Sequence, residues 1–223
     1  MKRIRIADRI LPTYTVGEER MNMITHIVGG ALGLLALILC IARSAIHHDI
    51  WGIVGSSIYG ASLIALYTVS SVYHGLHISI GKKVMQVIDH CTIYFLICGT
   101  YTPLLLTAIR RESPAWAWVI FGIVWGLAVL AAVLTAIDLK KYAVFSMICY
   151  ICMGWCIVLA LPTTVRAIGE PGFAWLLAGG IAYTVGAVLY GLGKKHRYMH
   201  SVFHLFVLLG SIFQFVCIYG CVL

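Results

Sequence analysis

Two histidines four residues apart, His200 and His204, open the last apolar stretch of this chain. On a helix that spacing turns both imidazoles to one face, where they can ligate one metal ion. His74 closes an earlier apolar stretch, and Ser70, four residues before it, shares its face. Three imidazoles around one ion leave a position open, which is the composition of a catalytic zinc site. Asp89, next to His90, sits near the start of another apolar stretch. A carboxylate there can hold a water on the ion or orient a ligand. The chemistry implied is activation of water for hydrolysis. Imidazole suits copper, iron and nickel as well as zinc, so residue type alone leaves the metal open.

Each of these residues also has a plainer reading. Helix-end histidines can rest at a membrane interface, and Asp89 can cap its helix or pair with His90 or Lys83. Ser70 can bond back to its own helix. Glu18 and Asn22 can cap the first helix. His47, His48, His77 and His196 read as loop residues. The metal reading gains from a coincidence of depth. Glu18, Asn22 and His26, then Ser70 and His74, then Asp89 and His90, then His200 and His204 all fall near one end of their apolar stretches. Ionisable groups inside membrane helices are costly and mark function by default.

The elements that carry these groups are apolar runs long enough to span a bilayer, which takes roughly 20 residues each. The chain has 223 residues, 61% hydrophobic and 11% charged, with a mean hydropathy of +0.97. A soluble domain would carry about 25% charged residues. The pattern predicts an all-α, polytopic membrane protein with seven transmembrane helices, near 21–42, 50–73, 84–107, 115–136, 142–162, 173–192 and 200–222, in a single membrane domain over 1–223. Pro114 and Pro171 suit first helical turns, and Pro103 predicts a kink near the far end of the third helix. The first apolar run follows Glu18, Glu19 and Arg20 and is too long for a signal peptide, so it reads as the first crossing.

The net charge of +8 does not describe a nucleic-acid binder, because Lys and Arg lie in small groups between apolar runs. One side receives Lys2, Arg3, Arg5, Arg9, Arg20, Lys82, Lys83, Lys140, Lys141, Lys194, Lys195 and Arg197; the other receives Arg43, Arg110, Arg111 and Arg166. That asymmetry predicts a cytoplasmic N-terminus and an external C-terminus, with the histidines towards the cytoplasm. The eight cysteines lie in or beside apolar stretches, Cys149 and Cys152 as C-x-x-C, and read as small core residues rather than a disulfide framework.

The segments S-S-V-Y-H at 70–74, D-H-C-T-I-Y at 89–94, G-T-Y-T-P at 99–103 and H-S-V-F-H at 200–204, with G-E-E-R-M-N-M-I-T-H-I-V-G at 17–29, resemble the haemolysin III family. That family is the bacterial branch of the progestin and adipoQ receptors. The resemblance implies a seven-helix bundle in a bacterial plasma membrane and a zinc ion near the cytoplasmic side. Family zinc ligands carry over onto His74, His200 and His204, an Asp acting through water onto Asp89, and a nearby Ser onto Ser70. It also implies kinship with a ceramidase-like superfamily of membrane hydrolases. The historical haemolysin label implies cytolysis, which no residue here explains.

The leading expectation is a Zn2+-dependent hydrolase of a membrane lipid amide or ester. Asp89 would act as base and Ser70 as donor to the oxyanion. The alternatives are a receptor or sensor of membrane state with structural zinc, a cytolytic or channel-forming protein, and a proton-coupled transporter. A pore should be polar along its full depth, and polar groups here thin out away from the histidines. A retinal pigment lacks its lysine in the last helix.

Overall fold

A computed structural model of the chain describes residues 5–192 and 196–223. Lys2, Arg3, Lys194 and Lys195, four of the cations counted above, lie outside the described residues. Among the described residues every regular element is helical. The helices are α1 (Val16–Ile46), α2 (Ile50–Gly75), α3 (Ile80–Leu104), α4 (Pro114–Ile137), α5 (Ala143–Gly154), α6 (Leu161–Leu192) and α7 (Met199–Cys217).

Six stretches are long and apolar enough to cross a membrane: Val16–Ile46, Ile50–Gly75, Ile80–Glu112, Pro114–Ile137, Ala143–Leu192 and Met199–Val222. The sequence reading expects seven. The difference lies in one place, because the expected helices at 142–162 and 173–192 fall within the single run Ala143–Leu192. Helical geometry carries from α5 through the tighter turn Cys156–Ala160 into α6. Within α6 the backbone leaves helical dihedrals at Gly169, at φ 70° and ψ 171°. Glycine adopts that left-handed φ without a side-chain penalty. Pro171 follows two residues later, where it suits the first turn after a break.

Local chemistry sets the helix starts. Thr15 Oγ accepts from the Glu18 N–H at 3.2 Å, and Glu18 Oε2 accepts from the Thr15 N–H at 2.8 Å. This reciprocal cap starts α1 five residues before the expected position and draws Glu18 and Glu19 into the helix. Ser79 caps α3 by accepting from the Lys82 N–H at 3.1 Å. Pro103 has no N–H to give, and α3 passes into a π-helical turn, Leu105–Ile109, just beyond it. Pro114 occupies the first turn of α4.

α3 forms the centre of the bundle, with 78% of its most apolar window buried against 28% for α1 and for α4. The polar groups of α3 therefore face protein, while Leu34, Leu35 and Ile38 of α1 and Val129, Leu130 and Val133 of α4 project outward. α1 and α2 approach closely at Gly29, where a Cβ would sit 2.5 Å from the Tyr67 ring. Small residues permit such contacts between helices in lipid. All eight cysteines are free thiols; Cys40, Cys98, Cys149, Cys156 and Cys217 are buried as expected of core residues, Cys91 and Cys221 are half-buried, and Cys152 is exposed.

Candidate metal centre

α2 delivers His74 from its last turn, and α7 delivers His200 and His204 from its first two. His74 Nε2 lies 3.3 Å from His200 Nε2, which lies 3.1 Å from His204 Nε2. Ligand atoms of all three lie within 4.8 Å of one another. The expected set at His74, His200 and His204 is therefore brought together. A tetrahedral ion with Zn–N bonds of 2.0–2.1 Å has edges of about 3.3–3.4 Å, close to the separations found.

The opposite ring nitrogens explain why these Nε2 atoms converge. His74 Nδ1 is 2.6 Å from Glu19 Oε2. Glu19 Oε1 accepts from Lys82 Nζ at 2.7 Å, and Lys82 also donates to the Leu76 carbonyl at 2.9 Å. His204 Nδ1 is 3.3 Å from the Asn22 carbonyl oxygen. An oxygen acceptor requires the proton on Nδ1, so both rings turn a bare lone pair inward at Nε2. Three neutral rings in this arrangement cannot satisfy one another: His200 holds one N–H, and the other two contribute only acceptors. A cation at the centre resolves that conflict, and the donor set fits zinc on both distance and type.

Asn22 is fully buried beneath the cluster. Its Oδ1 accepts from Ser201 Oγ at 2.6 Å, which pins the first turn of α7 against α1. It does not cap α1; Glu18 does, and Glu18 Oε1 also accepts from the Tyr198 N–H at 2.7 Å. His26 stacks on His204 with ring centroids 3.7 Å apart and planes 11° from parallel.

Asp89 stands apart from the three-histidine group. Its carboxylate interacts with Ser70, and its side chain is 14% exposed, on the wall of a cavity shared with His200. It is 3.9 Å from His90 Nδ1, too far for a hydrogen bond. His90 Nδ1 instead lies 2.8 Å from the Gln86 carbonyl, and Lys83 bonds the Ala7 carbonyl. Ser70 and Asp89 thus form a polar pair beside the histidines.

The cavity holds about 520 Å³ and runs from Asp89 and His200 to Tyr101, Leu104, Ile157 and Phe173. From Asp89 to Leu104 is 15 residues of α3, or about 22 Å at 1.5 Å per residue. One leaflet of hydrocarbon is about 15 Å deep. The polar end is roofed by the segment before α1, with Asp8, Arg9, Ile10 and Pro12 on the wall. Tyr14 from that segment lies against His200, and burial pushes its hydroxyl up so that it stays protonated.

Sequence reasoning missed Glu19, Lys82, Ser201 and Tyr14. Glu19, Asn22 and His26 are spaced by three and four residues, which is one helical face, so that signal was present. From sequence alone Lys82 reads only as a topology determinant.

A family profile described as "Haemolysin-III related" matches residues 14–215. The chain belongs to the haemolysin III family. This haemolysin III protein is 38% identical over 206 residues to Hemolysin-3 of Bacillus cereus, covering 92% of each chain. It is 35% identical over 205 residues to the Hemolysin-3 homolog of Bacillus subtilis (strain 168), covering 92% of this chain and 94% of that one. Similarity extends to the monocyte to macrophage differentiation factor of Homo sapiens, 27% identical over 205 residues, covering 86% and 79%. Family and apolar helices together make it a multi-pass membrane protein. The matched span includes every residue of the histidine cluster.

Proposed function

We propose that this protein is a zinc-dependent hydrolase acting on a lipid amide or ester within the bilayer. The observation that carries the reading is the convergence of three imidazoles, with two of their Nε2 separations at tetrahedral-edge length, beside a long apolar cavity. His74, His200 and His204 would hold the ion. Bound zinc supplies Lewis acidity and makes water a competent nucleophile at neutral pH. Glu19 and the Asn22 carbonyl keep the His74 and His204 tautomers fixed. Asp89, opening on the cavity, accepts the proton of the attacking water. Ser70 holds the Asp89 carboxylate at rest and is the donor available to a developing oxyanion. The apolar length of the cavity suits an acyl chain whose amide or ester lies at the polar end.

The test is metal content of the protein purified in mild detergent, followed by turnover across a panel of ceramide-like amides and lipid esters. About one zinc per chain, with hydrolysis reduced by roughly 10²–10⁴-fold in Asp89→Asn, supports the reading. Zinc without turnover of any lipid would leave the receptor reading, in which the ion ties α2 and α7 together while Glu19 and Lys82 tie in α1 and α3. Cytolysis, which the relatives' name carries, calls for a path polar along its full depth. The apolar far end of the cavity weighs against that use of it. Leakage of dye-loaded vesicles containing the pure protein checks the point.

We also infer seven crossings with the N-terminus in the cytoplasm. A straight run of 50 residues would be about 75 Å long, more than twice the roughly 30 Å hydrocarbon core. Turning at Gly169 would let Ala143–Leu192 cross twice. The twelve-to-four distribution of Lys and Arg supports the orientation. Labelling of single cysteines placed near 170 and at the C-terminus, from either side of the membrane, tests both.

A further inference from the structure

The three candidate ligands are not held alike. His74 Nδ1 has Glu19 at 2.6 Å, and His204 Nδ1 has the Asn22 carbonyl at 3.3 Å. His200 Nδ1 is buried and has no hydrogen-bond partner among the described residues. A histidine ring turns readily about its outer torsion, which is broad and two-fold. Among the described residues no hydrogen bond at the outer nitrogen therefore holds the His200 ring from behind, as one does in the other two ligands.

Aromatic rings surround it. Tyr14 is nearly parallel to His200, 15° between planes and 5.1 Å between centroids. Tyr190 and Phe203 lie at 5.3 and 5.9 Å with larger tilts. Tyr14 also reaches His74 at 5.8 Å. Tyr190 and Phe203 belong to α6 and α7, whereas Tyr14 precedes α1 and comes from outside the apolar spans. Its position is nonetheless fixed. Thr15, the next residue, is bonded to Glu18, and Glu18 Oε1 accepts from the backbone of Tyr198, two residues before His200. Further back, Lys83 at the start of α3 bonds the Ala7 carbonyl. One carboxylate thus joins the base of Tyr14 to the base of His200.

We propose that Tyr14 is a positioning residue of the metal centre, holding the His200 ring by stacking where the other two ligands are held by hydrogen bonds. The segment 5–15 is then part of the site rather than a tail, and removing the Tyr14 ring frees one ligand of three. This rests on the three histidines binding a metal, as proposed above.

The test uses the full-length protein loaded with zinc or with cobalt. Three variants separate ring stacking from bulk: Tyr14→Phe keeps the ring, Tyr14→Leu keeps part of the bulk without a ring, and Tyr14→Ala removes both. A stacked pair stabilises enough to change a rate by roughly two- to ten-fold. Zinc release to excess chelator is expected to speed up by that factor in Tyr14→Leu and Tyr14→Ala and to stay within two-fold of wild type in Tyr14→Phe. The visible spectrum of the cobalt-loaded Leu and Ala variants should move towards that of His200→Ala. Thermal unfolding in detergent identifies any variant that fails to fold, and the remaining substitutions still decide the matter. Unchanged release in Tyr14→Leu would overturn the proposal, as would faster release with an unshifted cobalt spectrum, which means only that the roof is looser. A wild-type protein that loads no metal would instead overturn the zinc reading itself.

Discussion

The two ends of this bundle use the same residue types for different ends. At the end away from the histidines, Arg111 pairs with Asp49 and Arg166 with Glu112, both at 2.6 Å. Those arginine side chains are 61% and 60% exposed. At the histidine end the Glu19–Lys82 pair has a similar length, 2.7 Å, but Lys82 is 5% exposed and the other Glu19 oxygen faces His74 Nδ1. The arginines of the exposed pairs reach solvent, while the buried pair leads to His74 and through it to the three-imidazole cluster. An ion pair alone therefore says little about function. What distinguishes the site is that its charges are spent orienting other groups.

The largest effects should come from removing the convergence itself. The double substitution His200→Ala and His204→Ala is expected to abolish stoichiometric zinc, measured by mass spectrometry of the purified protein, because one imidazole cannot hold the ion. Zinc retained at about one per chain would place the metal elsewhere. Next in size, Asp89→Asn should keep zinc and lower lipid turnover by roughly 10²–10⁴-fold, the usual contribution of a positioned base. Equal loss of zinc and turnover in that variant would make Asp89 a ligand and erase the distinction drawn between it and the histidines.

The contrast also shows what could be read in advance. Helical class and most boundaries follow from apolar run lengths, and the shared face of His200 and His204 from a spacing of four, both local properties; the joining of His74, 126 residues from His200, follows from the common depth of the polar groups and from the family resemblance. The start of α1 was misplaced because the Thr15–Glu18 cap extends helix through polar residues that hydropathy assigns to a loop. The fifth and sixth helices were expected apart, yet helical backbone runs on between them except at Gly169. Glu19 and Lys82 were hidden for a different reason. They are 63 residues apart, and a glutamate or lysine at a helix start has an ordinary explanation in capping or topology. Only the fold shows that each is turned inward.

The comparison sharpens at Glu19. Glu19→Gln keeps the shape of the contact but removes the charge facing His74 Nδ1, and loss of such an orienting carboxylate typically costs 10–100-fold in metal affinity. Competition with a calibrated chelator should give that range. An unchanged affinity would mean that His74 is held by packing alone, and that the buried pair is no more functional than the exposed ones.

The smallest effect is expected at the far end, and it is the control on which the contrast depends. Arg111→Ala breaks the pair with Asp49, but exposed pairs contribute about 0–1 kcal/mol because water and salt screen them. Zinc content and release should match wild type, and the midpoint of thermal unfolding in detergent should fall by a few degrees at most. Arg110, stacked on Trp51 at 4.6 Å, remains to hold that end of α3 against α2. If Arg111→Ala instead altered metal release as much as Glu19→Gln does, the two ends would be energetically coupled through α3. α3 carries Lys82 at its capped start, and the helical run continues through the π turn at Leu105–Ile109 to Arg110 and Arg111.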